Sequence, residues 1–162
     1  MTTTEEDNNK YLIFSLDQNL YGVAIGNVSE IIEYQRPTKI PNLPSYIHGL
    51  LNLRGKVLPI IDFNLYLGQT TTVITKKTSA VIINYVFKNQ VINLGVLVDD
   101  VLDVVEIPPE SLEHVPDLNV KIKSEFIKNM FVLNEKIVIL FDVNQVFSEN
   151  ALNVIADIPA NK

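Results

Sequence analysis

The sequence predicts an all-β protein with a few short helices, built as two small five-stranded barrels that pack together. Short apolar segments alternate with Pro, Gly and Asn turns, which is typical of small barrels rather than of one open sheet. The second half of the chain also repeats the pattern of the first half. Segments such as 137–141 are apolar on both faces, so they need cover on both sides.

The first half consists of predicted strands separated by turns and short helical segments. Residues 1–10 are polar and unpatterned, which indicates a disordered tail. Alternating or continuous apolar residues predict strands at 11–16, 20–25 and 56–63. Cap residues such as Asn27 and Ser45 favour short helical segments at 27–32, 45–53 and 64–67.

The second half follows the same order. Apolar segments bounded by polar turns predict strands at 78–87, 91–98, 131–133 and 136–143. A short helix is expected at 125–130. Ser148 can cap a final helix, so 148–162 is expected to be a C-terminal helix and tail.

The repeat indicates an internal duplication. Segment 28–33 matches segment 101–106 at an offset of 73 residues, and segment 57–64 matches 137–144 at an offset of 80. The difference falls in a Pro-containing loop, where insertions cost little. We therefore expect one domain over residues 11–150, with a first barrel at about 11–68 and a second at about 78–147.

Composition excludes several classes of function. The 162 residues include 13 Lys and Arg against 19 Asp and Glu, a formal charge of -6 that argues against nucleic-acid binding. Cysteine is absent, so thiol chemistry is excluded. The longest apolar run, 137–141, is far too short for membrane insertion, and no secretory signal is visible, so a cytoplasmic location is expected. The mean hydropathy of +0.18 indicates that some apolar surface is shared with partners.

No pattern of catalytic residues emerges. The two histidines, His48 and His114, stand at unrelated positions of the two halves, and neither belongs to a metal-binding spacing. The glycines form no phosphate-binding loop, and no serine-nucleophile motif occurs. The sequence therefore predicts neither an enzyme nor a cofactor.

The densest acidic cluster comprises Asp99, Asp100, Asp103 and Glu106. Several carboxylates close together could hold calcium, because hard cations prefer oxygen ligands. The spacing of an EF-hand loop is missing, however, so a solvated strand edge is the preferred interpretation and no metal site is predicted.

Arginine is rare, since Arg36 and Arg54 stand against eleven lysines. Arg54 has Asn134 as its counterpart in the second half, and Glu30 has the shorter Asp103. A residue that serves a partner need occur only once in a duplicated chain, and arginine is well suited to interface pairing. An ion pair between Glu30 and Arg54 that serves only the chain itself is an equally consistent interpretation.

Several segments together resemble the CheW family, the adaptors of bacterial chemotaxis. The most specific is N-L-R-G-x-V-x-P-I-x-D at 52–62, with P-x-x-P before it at 41–44. The resemblance extends from about residue 11 to residue 147. The other matching segments are 14–16, 21–25, 28–32, 49–51 and 95–104.

The resemblance implies two packed SH3-like barrels and a non-enzymatic adaptor. Such adaptors link the cytoplasmic tips of methyl-accepting chemotaxis receptors, which are helical hairpins, to the histidine kinase CheA, whose regulatory domain has the same fold. The chain is then expected in the cytoplasm, recruited to membrane-anchored receptor arrays. The family's receptor-binding positions fall on Val28, Glu30, Ile31, Gly49 and Arg54.

One departure from the family and two alternative functions accompany this hypothesis. Many relatives carry arginine at the position of Asn64, so a contact made there is not expected to carry over. The pathway could be a related chemosensory-like one, such as pilus motility. From another class, the chain could be a β-barrel sensor of a metal or small molecule, with Asp99, Asp100 and Asp103 as ligands.

Overall fold

The computed structural model describes residues 9–116 and 124–147. This part of the chain is mostly β, with two five-stranded sheets and a few short helices, which confirms the predicted fold class. The helices are α1 (Phe63–Tyr66), α2 (Val143–Val146) and 3-10 turns at Ile25–Asn27, Pro109–Ser111 and Ser124–Phe126. None of the helices described is long and apolar enough to cross a membrane. The strands are β1 (Lys10–Leu16), β2 (Asn19–Ala24), β3 (Val28–Glu33), β4 (Ile47–Leu53), β5 (Lys56–Asp62), β6 (Ser79–Phe87), β7 (Gln90–Val98), β8 (Asp100–Glu106), β9 (Ile127–Leu133) and β10 (Lys136–Phe141).

The two halves of the chain exchange strands. Sheet A has the order β8-β1-β2-β10-β9, and sheet B has the order β3-β6-β7-β5-β4. Each sheet therefore combines the first two strands of one half with the last three strands of the other. The exchange is made by two parallel pairs, β2 with β10 and β5 with β7. The barrels therefore do not correspond to the predicted divisions at about 11–68 and 78–147. The apolar pattern of the repeat is the same whether strands pair within one half or between the halves, so it did not distinguish the two arrangements.

Each sheet curls into a barrel, since its two edge strands bury side chains in one cluster. In sheet A, Val105 of β8 and Phe131 of β9 belong to the same apolar cluster. In sheet B, Ile32 of β3 and Leu51 of β4 do so. We call these units barrel A and barrel B.

The barrels pack on one shared apolar core, as the two-faced apolar strands predicted. Its centre is aromatic, with Phe14 and Tyr21 of sheet A beside Phe63 of α1 and Phe141 of β10. The ring centroids of Tyr21 and Phe141 are 5.0 Å apart, and those of Phe63 and Phe141 are 5.3 Å apart. Aromatic pairs at such distances add to the stabilisation from buried area. The two barrels therefore form one unit through this core.

Three segments that were expected to be helical are strands. Segments 27–32, 45–53 and 125–130 lie largely in β3, β4 and β9. Exposure alternates along β3 and β4, so one face of each strand is turned inward. The cap signals at Asn27 and Ser45 are local, and pairing within a sheet overrides them.

The other predictions at the segment ends have mixed outcomes. The helix expected at 64–67 is present as α1, beginning one residue earlier. Lys10 already belongs to β1, so it is not part of a tail. The rest of the expected N-terminal tail and the helix expected within 148–162 lie outside the described residues.

Four two-residue hairpin turns match pairwise between the halves. Both residues of each turn have positive φ, which is the geometry of a type I′ turn. The turns lie at 17–18, 54–55, 88–89 and 134–135. Arg54 and Asn134 occupy the same turn position, and each has a φ of 50°. Asn is favoured at that position, whereas arginine is not.

Glycine is required where the halves exchange strands. In the parallel pairs, Gly22 lies opposite Leu140 and Gly95 lies opposite Ile60. A Cβ atom on Gly22 would lie 2.7 Å from Cδ2 of Leu140, and one on Gly95 would collide with Cδ1 of Ile60. This shared steric requirement explains why the two glycines recur at equivalent positions of the repeat.

We expect Gly95→Ala to lower the free energy of unfolding by about 1–3 kcal/mol, the usual cost of overpacking a core. Ile60→Val removes the colliding Cδ1 atom, so the same glycine substitution should cost less in that background. Urea unfolding of the wild type, both single variants and the double variant measures the coupling. Strictly additive costs would show that the collision with Ile60 is not the cause.

Candidate functional site

An ion pair joins the two residues that the sequence singled out. Nη2 of Arg54, in the turn between β4 and β5, donates to Oε2 of Glu30 on β3. β3 and β4 are the two edges of sheet B, so the pair bridges the closure of barrel B. The Arg54 side chain is 69% exposed and that of Glu30 is 28% exposed, so the guanidinium faces solvent while the carboxylate anchors it.

The other predicted site residues lie on β3 and β4 in different environments. Val28 packs against the shared core. Ile31 lies opposite Val81, a residue of that core, so its side chain is on the same side of the sheet; it is 43% exposed. A bulge at Ser29 places Glu30 on the opposite side, toward the interior of barrel B. The five predicted positions therefore do not share a single face.

Gly49 is buried rather than presented at the surface. A Cβ atom there would lie 2.7 Å from the backbone oxygen of Thr38 and 2.9 Å from Pro37. This close approach lets Thr38 pair with Leu50 of β4. Gly49 is therefore explained by packing of the segment before β4.

A cavity of about 230 Å³ opens beneath the ion pair, at the end of barrel B. Leu53, Leu58 and Ile82 give it apolar walls, and Lys56 and Asn93 add polar groups. The sequence analysis did not identify this cavity. Its signal was present in the repeat, because Asn93 replaces a leucine of the first half at the offset of 73 residues.

Comparisons with known proteins identify the family of the chain. The chain matches the CheW-like domain family over residues 10–151. The chain belongs to the CheW family. It is 31% identical to chemotaxis protein CheW of Klebsiella aerogenes, over 92% of this chain and 87% of that protein. It is also 24% identical to protein PilI of Pseudomonas aeruginosa, over 73% of this chain and 64% of that protein.

A solved structure of the CheW family has the same architecture. The scaffolding protein TtCheW from Thermoanaerobacter tengcongensis superposes with a TM-score of 0.77 and 29% identity. The match covers 93% of this chain and 95% of that chain. The family comprises scaffold and adaptor proteins rather than enzymes, in agreement with the interpretation of the sequence motifs.

The aspartate that ends the CheW motif is a buried structural hub. Asp62 is 1% exposed and caps α1. Its carboxylate accepts hydrogen bonds from the backbone N–H of Thr72 at 3.1 Å, the Thr72 hydroxyl at 2.7 Å and the Leu65 N–H at 3.3 Å. Nδ2 of Asn64 donates to the Thr72 hydroxyl at 2.8 Å and to Asp99 at 3.1 Å. Asn64 thus ties the hub to the second half.

We expect Thr72→Val to lower the free energy of unfolding by about 1.5–3 kcal/mol, since a buried carboxylate loses a hydroxyl donor. The matched control is Thr71→Val, because Thr71 is an exposed neighbour. Thermal and urea unfolding of both variants measure the difference. Equal effects of the two substitutions would contradict the importance of this hydrogen bond.

Two residues of the acidic cluster, Asp99 and Asp103, accept hydrogen bonds from groups of the chain itself. Asp99 accepts from the Asp17 N–H at 2.7 Å and from the Asn64 side chain. Asp103 accepts from the adjacent Val104 N–H at 2.8 Å. Within residues 9–116 and 124–147, no group of three or more His, Cys, Asp or Glu residues could hold a metal ion. The geometry therefore gives no support to a metal sensor built on Asp99, Asp100 and Asp103.

A histidine, His48, is the extra residue of a bulge in β4, where the pairing with β5 shifts between Ile47 and Gly49. Nε2 of His48 is 2.8 Å from the Tyr34 hydroxyl. Burial lowers the pKa of His48 below its ordinary value; the charge of Asp62 opposes this effect, and that of Lys39 adds to it. Protonation of His48 is therefore less favourable in the folded chain than in the unfolded chain.

We expect this histidine to weaken the fold at mildly acidic pH. The unfolded chain binds a proton at His48 more readily than the folded chain does. The free energy of unfolding therefore falls as the pH drops through the pKa of histidine in the unfolded chain, about 6.5. Between about pH 7 and pH 5.5, the free energy of unfolding should decrease less for His48→Gln than for the wild type. His114→Gln, at an exposed position, is the control and should follow the wild type. Parallel curves for His48→Gln and wild type would contradict the assignment.

Proposed function

We propose that this chain is a cytoplasmic adaptor that couples the tips of chemoreceptors to the histidine kinase CheA in membrane-anchored arrays. Membership of the CheW family supports the adaptor class. The observation that carries the receptor assignment is the Arg54–Glu30 pair. Its arginine is exposed, lies within the family motif at 52–62 and is replaced by Asn134 in the second half.

The backbone at Arg54 supports a role beyond folding. Arg54 has a φ of 50°, a left-handed conformation that is unfavourable for a long side chain. The equivalent turn position holds Asn134 with the same φ, so the fold itself is satisfied by asparagine. Lys88 has a φ of 49° at the first position of the turn at 88–89, so a long side chain is accommodated there; the arginine is nevertheless not required by the turn, which supports a contact with a partner.

The ion pair prepares the guanidinium for such a contact. Arginine carries five N–H donors, and the bond to Glu30 engages Nη2. Holding the side chain in one position reduces the entropy that binding would otherwise cost. The remaining donors can bond side chains or carbonyl groups of a receptor helix. Val28 and Ile31 lie on the other side of β3, which faces the shared core, and not on the side that carries Glu30.

Exposed apolar pairs offer a separate surface for the kinase. Val86 and Val91 face each other across the β6–β7 hairpin of barrel B and are 63% and 66% exposed. Val132 and Ile137 do so in the β9–β10 hairpin of barrel A, each 57% exposed. Such patches indicate interaction sites. Small contacts of this kind are weak singly and gain strength by multivalency in an array.

We expect Arg54→Glu to reduce binding of a soluble receptor hairpin at least tenfold while leaving the fold intact. A tenfold loss corresponds to about 1.4 kcal/mol, which a new like-charge contact can supply. Loss of the exposed pair itself should cost only about 0–1 kcal/mol of stability. Calorimetric titration with the receptor hairpin and with the kinase regulatory domain, alongside melting curves, measures each effect.

Two further variants separate the possible explanations. Asn134→Glu places the same charge at the equivalent turn of the other half and should leave receptor binding unchanged. The double variant Glu30→Arg with Arg54→Glu restores an ion pair within the chain but should stay defective. Recovery in that double variant would mean that the pair serves the chain alone. Loss of the fold in Arg54→Glu would make Arg54 structural.

The similarity to protein PilI favours a second candidate within the same class. In that case the adaptor serves a related chemosensory-like pathway with its own receptors and kinase. Co-purification with each receptor and kinase pair of the source cell distinguishes the two pathways.

A further inference from the structure

The two barrels end differently at equivalent positions. Leu20 of β2 and Asn93 of β7 hold the same place in the repeat, each two residues before the glycine of a parallel pair. Leu20 packs on the interior cluster of barrel A. At the matching end of barrel B, Asn93 lines the open cavity. We call this opening the barrel-B mouth; its walls are Leu53, Leu58 and Ile82, and its rim is Glu30, Arg54 and Lys56.

The barrel-B mouth is large enough to hold a side chain. Leu58 and Ile82 are 7% and 3% exposed and close its base, whereas Leu53 is half-buried at its edge. The cavity of about 230 Å³ greatly exceeds the roughly 30 Å³ share of one water molecule in the liquid.

The charges at the rim favour a partner with a carboxylate. Arg54 and Lys56 supply two positive charges and Glu30 one negative charge. The rim is thus positive in a chain whose formal charge is -6. An acidic group of a partner is attracted to this rim and repelled by most of the remaining surface.

We infer that the barrel-B mouth receives one apolar side chain of the receptor's helical hairpin, beside a carboxylate of that helix. This inference rests on the proposed function and adds the recognition chemistry of the site. The apolar side chain fills the space between Leu53, Leu58 and Ile82, and supplies affinity in the manner of a buried anchor. Arg54 and Lys56 bind the carboxylate and set the direction of the helix.

The test fills the barrel-B mouth with the side chain that barrel A has at the equivalent position. Asn93→Leu introduces the residue found at the equivalent Leu20, so the melting temperature should hold or rise. Binding of the soluble receptor hairpin should fall at least tenfold, with binding of the kinase regulatory domain unchanged. Asn93→Ser keeps the mouth open, and Gln90→Leu adds the same bulk at an exposed position of β7. Both controls should bind the receptor hairpin within about twofold of the wild type.

A second pair of variants tests the charge. Lys56→Glu should weaken receptor binding, whereas Lys136→Glu, at the equivalent exposed position of β10, should not. If Asn93→Leu does not fold, Leu53→Phe narrows the mouth from the half-buried rim instead. Wild-type affinity in the folded mouth-closing variant would overturn this inference and leave the assignment of Arg54 standing. Failure of the wild type to bind any receptor hairpin would overturn the proposed function itself.

Discussion

The parallel pairing of β2 with β10 and of β7 with β5 is the constraint on which the structure depends. Each pair brings strands of different halves together, and each requires glycine opposite a large aliphatic side chain. Because neither barrel contains all five strands of one half, neither half can bury its apolar faces alone. The shared aromatic core and the closure of both barrels follow from this exchange.

The exchange also determines how the site is assembled. Glu30 and Arg54 come from the first half, whereas Ile82 and Asn93 reach the same cavity from the second half. The hub at Asp62 adds another connection between the halves, since Asn64 bonds Asp99. Arg54 differs from its counterpart Asn134, and Asn93 differs from Leu20. Folding of a barrel does not require one particular residue at these positions.

The apolar pattern predicted most strands because burial in a sheet fixes that pattern directly. It failed at 27–32 and 45–53, where Asn27 and Ser45 offered local helix caps and only distant strands could decide the outcome. The exchange of strands was not predictable, since both pairings bury the same side chains. Arg54 and Glu30 were found from the rarity of arginine and the motif, and their contact is observed. The cavity depends on packing volume, which a sequence does not display, although the change from Leu20 to Asn93 marked its position.

Exchanged strands are the arrangement that two identical half-chains would adopt in a two-fold symmetric dimer. Such a dimer would present two equal barrel ends. When the halves are joined in one chain, the two barrel ends need not be identical. One end is closed by Leu20, and the other is open at Asn93. The fused chain thereby has a polarity, with one barrel end closed and the other open.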